Sequence, residues 1–319
     1  MDNKIAIVVA YFGKFPHYFP LWLRSCEYNE TIDFIIVTDQ FFDTLPQNVR
    51  IVKMSLSEMQ ERASKILGFE AKLGRPYKCC DYRPMYGVIF NDYLETYDYW
   101  GHCDIDLIFG DLQSFFIKFN LYDYDKFGCL GHLSLYRNTD KVNNAYKIQS
   151  HNILYYKDVY TTDNSCIFDE VNGITAIMLQ NGFKVFTQRI FIDIATMYSR
   201  YRIIEVYPLD EKAVNYPVQS FYWSEGKVFH VYVKDNAISQ DEYIYVHFQK
   251  RPNFDVNEKL IKADSFYITK YGFFVKQSHY PEIRELKKLN PYYGAIYERV
   301  EYLANLIVRK LRAHLKRLG

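Results

Sequence analysis

The sequence predicts an α/β fold, with a sheet covered by helices on both faces, a β-rich C-terminal part and a helical C-terminal tail. Three observations predict it. Short β-prone runs alternate with helical segments in the first part of the chain, β-prone runs dominate after about residue 200, and the chain turns helical and basic from Pro281. An alternation of strands and helices is typical of a largely parallel sheet.

The predicted elements of the first part follow from hydrophobic runs and from helix-end signals. In chain order they are a strand over 4–12, a helix over 16–28, strands over 33–39 and 49–54, a helix capped by Ser55 or Ser57 that runs through Leu67 and is stopped by Gly68, a helix over 81–95, strands over 99–109 and 127–136, a helix over 169–180 and a strand over 184–187.

The C-terminal part reads as strands followed by helices. Strands are predicted over 202–209, over 220–233 as a hairpin turning at Glu225-Gly226, over 242–248 and over 264–276. The predicted division is one domain over 1–280, with a nucleotide-binding half over 1–112 and an acceptor half over 113–280, and a tail over 281–319.

Composition excludes several classes of protein. The formal net charge of +1 provides no basic field for nucleic acid. The six cysteines contain no CxxC pair, and no apolar run approaches the about 20 residues of a membrane span. The opening KIAIVVAYFGKF lacks a small-residue cleavage site and is interpreted as a strand. We therefore expect a cytoplasmic protein that does not bind nucleic acid.

The segment YWGHCDIDLIFGDL (99–112) carries the main chemical signal. Asp104 and Asp106 are separated by one residue, so in a strand both carboxylates point to one face. Such a pair can hold Mg²⁺ or Mn²⁺, and these ions also bind diphosphate oxygens. The alternative is that both acids are solvated or capping groups at a strand end.

Together with PYKCCDYRPMYGVIF (76–90), this segment resembles bacterial glycosyltransferases of the GT-A fold, which are found in capsule and O-antigen biosynthesis clusters. The resemblance implies a Rossmann-like mixed sheet. It also implies that Asp104 and Asp106 hold Mn²⁺ or Mg²⁺ on the diphosphate of a UDP-sugar, with Ile105 beside the donor.

The resemblance places the end of the first strand beside the nucleotide. Ala10, Tyr11 and Gly13 would contact base and ribose, with Tyr11 stacking on uracil and Gly13 allowing close backbone approach. Asp39, at the end of the second strand, would bind base or ribose. The alternatives are an ordinary strand-to-loop turn and an Asp that caps the next turn.

A second group lies before the DID segment. Lys78 and Arg83 would contact the diphosphate, and Asp81 would accept a hydrogen bond from a ribose hydroxyl. The alternative is an N-capping Asp flanked by solvated basic residues.

The resemblance also implies a late histidine ligand. His247 would complete the metal shell, and Lys250 would lie on the diphosphate. A single His is more often structural. His102 is a weaker ligand candidate, and His230 is predicted to be structural.

Asp169 and Glu170 open a predicted helix after the DID segment. In inverting enzymes of the resembled class, an acid in this region deprotonates the acceptor hydroxyl. The alternative is a helix cap that complements the dipole. Gly131-His132 is expected to border the sugar or acceptor pocket, with Ser134 and Arg137.

Residues 295–319 predict an amphipathic helix in which six Lys/Arg stand against two Glu. Such a helix can lie on an anionic surface, here the inner membrane that presents a lipid-linked glycan acceptor. The alternative is a helix packed on the core with a solvated end.

The function expected from these features is transfer of a hexosyl residue from a UDP-sugar to a surface glycan. One alternative is a sugar nucleotidyltransferase, although AYFGKFPHYF lacks the Gly- and Arg-rich phosphate loop usual in such enzymes. The other is a non-catalytic glycan-binding protein, which the aromatic content of 18% would suit.

Overall fold

The structure is a computed structural model that describes residues 3–206, 212–249, 255–277 and 281–318, with side chains described as far as residue 312. The chain forms two compact units. The first unit consists of Met1–Ile105 and Leu112–Gln188, and the second of Asp106–Asp111 and Arg189–Gly319. The domain boundaries expected from the sequence stay a prediction.

The first unit is built on a seven-stranded sheet with the strand order β3-β2-β1-β4-β7-β6-β8. Its strands are β1 (Ile5–Ala10), β2 (Ile32–Thr38), β3 (Val49–Lys53), β4 (Tyr99–Cys103), β6 (Lys126–Leu130), β7 (Leu133–Arg137) and β8 (Val185–Phe186). All neighbours run parallel except β7, which is antiparallel to β4 and β6. The predicted mixed α/β sheet is confirmed.

Helices cover both faces of this sheet. Successive residues of a strand point to opposite sides, so each face has apolar side chains that pack against helices. On one face, Ile35 of β2 packs in a buried cluster with Met59. On the other face, the ring of Phe34 lies 5.6 Å from that of Trp22. The continuous apolar runs of β1 and β2 thus follow from burial on both sides.

The helices of the first unit are mostly short. They are α1 (Phe19–Glu27), α2 (Leu56–Leu67), α3 (Cys79–Tyr82), α4 (Tyr86–Ile89), α5 (Asn91–Leu94), α6 (Leu112–Lys118), α7 (Asp140–Asn143), α8 (Tyr156–Tyr160) and α9 (Ala176–Gln180). The predicted limits of α2 are confirmed. The Ser55 hydroxyl and the Glu58 side chain form a capping box, and Gly68 ends the helix at φ +75°.

The single helix predicted over 81–95 is wrong. The chain there forms α3, a 3-10 turn over Arg83–Met85, then α4 and α5. Pro84 has no N–H to continue the α-helical hydrogen bonds, which accounts for the 3-10 turn. Gly87 lets Trp100 pack closely, since a Cβ there would lie 2.4 Å from the indole nitrogen.

Two further predictions about elements are corrected. The strand expected over 127–136 is the β6–β7 hairpin, which turns at Gly131-His132. The helix expected over 169–180 is regular only in α9. Gly173, at φ −110° and ψ −118°, interrupts the preceding turn of Val171–Thr175.

The second unit contains two sheets. The five-stranded sheet has the order β12-β11-β10-β14-β15, and the three-stranded sheet has the order β5-β13-β9. The strands are β5 (Leu107–Phe109), β9 (Ile192–Asp193), β10 (Gln219–Ser224), β11 (Lys227–Lys234), β12 (Ala237–Tyr243), β13 (Tyr245–His247), β14 (Ser265–Thr269) and β15 (Gly272–Val275).

The predicted hairpin is confirmed, with Glu225 and Gly226 both at positive φ between β10 and β11. The strand expected over 242–248 is divided between β12 and β13, which belong to different sheets. In the described part of 202–209, only Ile203 forms an isolated bridge, so no strand forms there, and 207–211 lie outside the described residues.

A short helix that was not predicted, α10 (Glu258–Ile261), lies between β13 and β14. The second unit then ends in two helices, as predicted: α11 (Ile283–Leu289) and α12 (Ala295–Leu318). Within the described residues, no helix combines the length and the apolar character needed to cross a bilayer.

Candidate metal and carboxylate site

The DID segment connects two strands and does not lie inside one, so the expected same-face geometry of a single strand is wrong. β4 ends at Cys103, and β5 begins at Leu107 in another sheet. The Asp104 amide donates to the His132 carbonyl at 3.0 Å, and the Asp106 carbonyl accepts from the Phe248 amide at 3.1 Å. Asp104 belongs to the first unit and Asp106 to the second.

In the second unit, β13 brings a histidine between two carboxylates. His247 pairs in register with Leu107 of β5 on one side and with Asp193 of β9 on the other. Its Nε2 lies 3.5 Å from Asp106 Oδ1, and its Nδ1 lies 3.0 Å from Asp193 Oδ1. Both carboxylates are about 4% exposed. The Gln249 amide donates to Asp193 at 2.8 Å.

The charge balance of this trio favours a cation. Burial opposes protonation of His247, but Asp106 and Asp193 outweigh it and raise the pKa of the imidazole well above its usual value. The proton on His247 thus balances buried negative charge. A divalent cation can take the place of that proton, because a ligating imidazole is neutral.

The donor set fits a metal ion. Asp106 offers a carboxylate oxygen, and His247 Nε2 offers a nitrogen on the same side. Asp193 on Nδ1 is placed like the outer carboxylate that orients a metal-binding histidine. A mixed oxygen and nitrogen set suits Mn²⁺ better than Mg²⁺, which prefers oxygen ligands and water.

In the first unit, Arg83 gathers two of the predicted acids. One guanidinium nitrogen donates to Asp169 Oδ2 at 2.8 Å and to the Gly131 carbonyl at 2.9 Å, and the other pairs with Asp104 Oδ1. The Arg83 side chain is 11% exposed. Arg83 is thus paired with two carboxylates.

The predicted acid pair lies in this cluster. Burial raises the pKa of Asp169 to about 7, although Arg83 acts in the opposite direction. Burial also raises the pKa of Glu170. Glu170 makes no side-chain cap to the following turn, so the geometry does not support the cap interpretation for it. A carboxyl group with a pKa near neutrality suits proton transfer.

Lys78 and Asp81 are wholly buried and bind each other, with Nζ 2.9 Å from Oδ2. Lys78 also donates to the carbonyls of Val159 and Asn164. This geometry does not support the expected contacts of Lys78 with a diphosphate and of Asp81 with ribose, because neither side chain reaches solvent.

The nucleotide edge predicted from the sequence is brought together by β1 and β2. The Tyr11 amide, directly after Ala10, donates to the Val37 carbonyl. Gly13, at φ +94°, donates its amide to Asp39 Oδ1 at 3.0 Å. Hydrogen bonds from Gln40 and Gly13 lower the pKa of Asp39, which is therefore a carboxylate at neutral pH.

The remaining candidates are placed as follows. His102 is fully buried, and burial lowers its pKa well below the usual value. His230 is also buried, with a pKa lowered to about 3. Ser134 accepts from the buried Lys126 at 2.8 Å inside the β6–β7 hairpin. Lys250 lies outside the described residues.

Sequence reasoning missed Asp193 and Gln249. Asp193 is the only acid in RIFIDIATMY, a β-prone apolar run, and a carboxylate in such a run needs a partner. That signal was available in the sequence. Its pairing with His247 was not, because it depends on the register of β9 with β13.

Three solved structures of glycosyltransferases are similar to part of the chain. The galactosyltransferase LgtC, in complex with donor and acceptor sugar analogues, is 11% identical, with a TM-score of 0.33 over 59% of this chain and 75% of that chain. An active-site mutant of LgtC is 11% identical, with a TM-score of 0.36 over 59% of this chain and 75% of that chain. The glycosyltransferase GlyE of Streptococcus pneumoniae TIGR4 is 12% identical, with a TM-score of 0.34 over 58% of this chain and 45% of that chain.

No curated protein matches the chain significantly. Residues 7–277 match the model of a protein family described as a family of unknown function, DUF6625. The match spans more than half of the chain, and the chain belongs to this family.

Proposed function

We propose that this chain is a divalent-metal-dependent glycosyltransferase that moves a hexosyl residue from a UDP-sugar to a surface-glycan acceptor. The observation that carries the proposal is the buried trio in which His247 lies between Asp106 and Asp193. Buried carboxylates around one imidazole are costly unless a cation or a proton compensates them. Such a group is expected where a metal is bound.

Asp104 is the third proposed ligand, with Asp106 and His247 Nε2. Asp104 precedes Asp106 by two residues, a separation that spans at most about 7 Å of chain. The proposed metal is Mn²⁺, with Mg²⁺ as the alternative. When bound, the ion would neutralise charge on the departing nucleoside diphosphate.

Asp169 is the proposed base. The bond between the donor sugar and its diphosphate breaks, the acceptor oxygen bonds to the sugar carbon, and Asp169 takes the hydroxyl proton. Its pKa of about 7 suits this role. Glu170 is the neighbouring candidate. The assignment applies to an inverting course, since a retaining enzyme needs no such base.

The nucleoside would bind at the end of β1 and β2. Asp39 is exposed and ionised, and Gly13 beside it leaves open space where a side chain would otherwise project. The Tyr11 ring is 4.4 Å from that of Phe15, which limits its motion. These features support contacts with base and ribose.

The acceptor would occupy a cleft in the second unit. Two cavities of about 350 and 370 Å³ share Tyr198, Arg202 and Tyr302. One of them reaches Gln249, which donates to Asp193. Aromatic rings and guanidinium groups along a path toward the metal trio suit a saccharide, because rings stack on sugars and guanidinium groups bind their oxygens.

The inner-membrane surface is the proposed partner of α12. Ile307 and Leu311 are 59% and 56% exposed, and they lie one helical turn apart. Lys310 and Arg312 flank Leu311 in the same helix. An apolar stripe beside basic residues suits an anionic lipid surface, where a lipid-linked acceptor and a cytoplasmic protein would meet.

Calorimetry with UDP, with and without MnCl₂, tests the proposal. We expect UDP to bind in a metal-dependent manner. Asp106→Asn should remove that dependence and lower UDP-sugar hydrolysis by about 100-fold or more. The matched control is Asp92→Asn, which changes only a surface ion pair with Arg62.

The metal role would be refuted if UDP bound with the same affinity with and without Mn²⁺ and Asp106→Asn hydrolysed UDP-sugar at the wild-type rate. Glycan binding without any UDP binding would favour a non-catalytic glycan-binding protein. A screen of UDP-sugars for hydrolysis would then identify the donor.

A further inference from the structure

Ile167 adopts a backbone conformation that its side chain disfavours. Its φ is +56°, in the left-handed region, which β-branched residues rarely enter. The residue is 62% exposed, so packing of its side chain does not explain the conformation. Strain of this kind persists only where the surroundings enforce it, and it occurs preferentially near functional sites. Asp169 follows two residues later.

One carboxylate holds the backbone on both sides of Ile167. Asp81 Oδ2 accepts from the Cys166 amide at 2.9 Å, and Asp81 Oδ1 accepts from the Phe168 amide at 2.9 Å. Asp81 is fully buried. Two charge-assisted hydrogen bonds from a single rigid group therefore fix the peptides that flank the strained residue.

Lys78 completes this arrangement. Its Nζ donates to Asp81 at 2.9 Å, to the Val159 carbonyl at 2.9 Å and to the Asn164 carbonyl at 2.6 Å. These three acceptors match the three donors of an ammonium group. The buried pair is thus neutral as a whole, and it ties α8 to the start of the segment 164–169.

The far end of the segment is fixed as well. The Phe168 carbonyl accepts from the Ile174 amide at 2.8 Å. A Cβ at Gly173 would lie 2.1 Å from that carbonyl oxygen, so the close approach requires glycine. Both peptide groups of Phe168 are therefore held by hydrogen bonds. The next residue, Asp169, accepts a hydrogen bond from the Arg83 guanidinium through Oδ2 at 2.8 Å.

We propose that Lys78 and Asp81 are positioning residues, which hold 166–168 in a strained turn so that Asp169 stays against Arg83. The proposal rests on the proposed function in one respect, the role of Asp169 as base. It assigns the pair a task in catalysis that requires no contact with substrate.

The test compares Asp81→Asn with Asp163→Asn in the full-length chain. Asn keeps the shape at residue 81 but turns an amide NH₂ toward one of the two backbone N–H groups. We expect kcat for UDP-sugar hydrolysis to fall at least about tenfold, while KM for the donor stays within about twofold. Asp163, which accepts from the Gly74 amide in the same loop, is the matched control and should retain wild-type kcat.

A second substitution separates positioning from general damage. Glycine adopts positive φ without steric cost, so Ile167→Gly in the Asp81→Asn background should restore most of the lost kcat. A folded Asp81→Asn protein with kcat within twofold of wild type would overturn the proposal. Failure of the double variant to recover kcat would also overturn it.

Hydrogen exchange of the backbone amides tests the positioning role without a measurement of activity. In the wild-type chain, the Cys166 and Phe168 amides should exchange slowly despite the exposure of Ile167, and Asp81→Asn should speed them at least about tenfold. Rapid exchange in the wild-type chain would overturn the clamp. Absence of hydrolysis in the wild-type chain, with slow exchange, would refute only the proposed enzymatic function.

Discussion

At the scale of single residues, the orientation of His247 is set by a carboxylate that is not itself a proposed ligand. Asp193 binds Nδ1 and leaves Nε2 facing Asp106. We expect Asp193→Asn to weaken Mn²⁺ binding by about 10- to 100-fold, the range found when a carboxylate behind a ligating histidine is removed. Titration calorimetry with MnCl₂ measures the change.

The control for this prediction is Asp235→Asn, at a turn where Asn tolerates the positive φ of the site. It should leave Mn²⁺ affinity unchanged. Equal affinities for wild type and Asp193→Asn would show that Asp193 does not orient the ligand.

Residue type and motif indicate candidate ligands, but they do not indicate what surrounds each candidate. Asp104, Asp106 and His247 were expected from motif and position. Asp193 was missed because its pairing with His247 depends on strand register. Lys78 and Asp81 were expected at the nucleotide, and the structure places them in a buried pair. Their spacing is the same whether the side chains face solvent or core, and the buried carbonyls that receive Lys78 come from residues about 80 positions later.

At the scale of elements, the local signals predicted α2 and the β10–β11 hairpin correctly, since capping serine, stop glycine and turn residues act over a few positions. The errors lie where the neighbouring strand determines the limits of an element. β-prone residues continue through the β6–β7 hairpin, and the apolar run Tyr243-Ile244-Tyr245-Val246 crosses the passage from β12 to β13. Only the choice of neighbouring strand shows where one element ends.

The β10–β11 hairpin also predicts a pH dependence. His230 is buried beside Phe221, and burial followed by the positive charge of Arg200 lowers its pKa to about 3. Unfolded, it titrates near its usual value of about 6.5. As the pH falls below about 6.5, the unfolded chain gains a proton that the folded chain refuses, so stability is lost progressively toward pH 3.

We expect this residue to remove about 2 kcal/mol of unfolding free energy between pH 7 and pH 5. His230→Phe keeps the ring stacking and should reduce the loss by that amount in urea titrations at the two pH values. His151→Asn changes an exposed histidine and should not. A loss in His230→Phe equal to that of wild type would contradict the assignment.

At the scale of the whole molecule, α12 has one part that packs on the protein and one part that exposes apolar residues. Glu298 is 7% exposed and pairs with Arg200 at 2.9 Å and with Arg202. The first turns of α12 therefore pack against the rest of the second unit. Farther along, Ile307 and Leu311 are 59% and 56% exposed. The core-packing interpretation fits the first part, and the surface-binding proposal is restricted to the rest.

Reversing two charges in the exposed part of α12, with Lys310→Glu and Arg312→Glu, should weaken binding to vesicles that contain an anionic phospholipid by at least about tenfold. Each basic residue near such a surface contributes about 1 kcal/mol. UDP binding should not change, because neither side chain belongs to the proposed nucleotide edge. Co-sedimentation with vesicles measures the effect.

The matched control reverses Lys287 and Lys288, two exposed lysines of α11, and so applies the same change in net charge at another place on the second unit. If the surface of α12 docks on lipid, the control loses little binding. If both variants lose binding equally, the attraction depends only on total charge, and the assignment to α12 is wrong. Equal binding of the wild-type chain to neutral and anionic vesicles would exclude the basic residues from the interaction, since their attraction requires a negative surface.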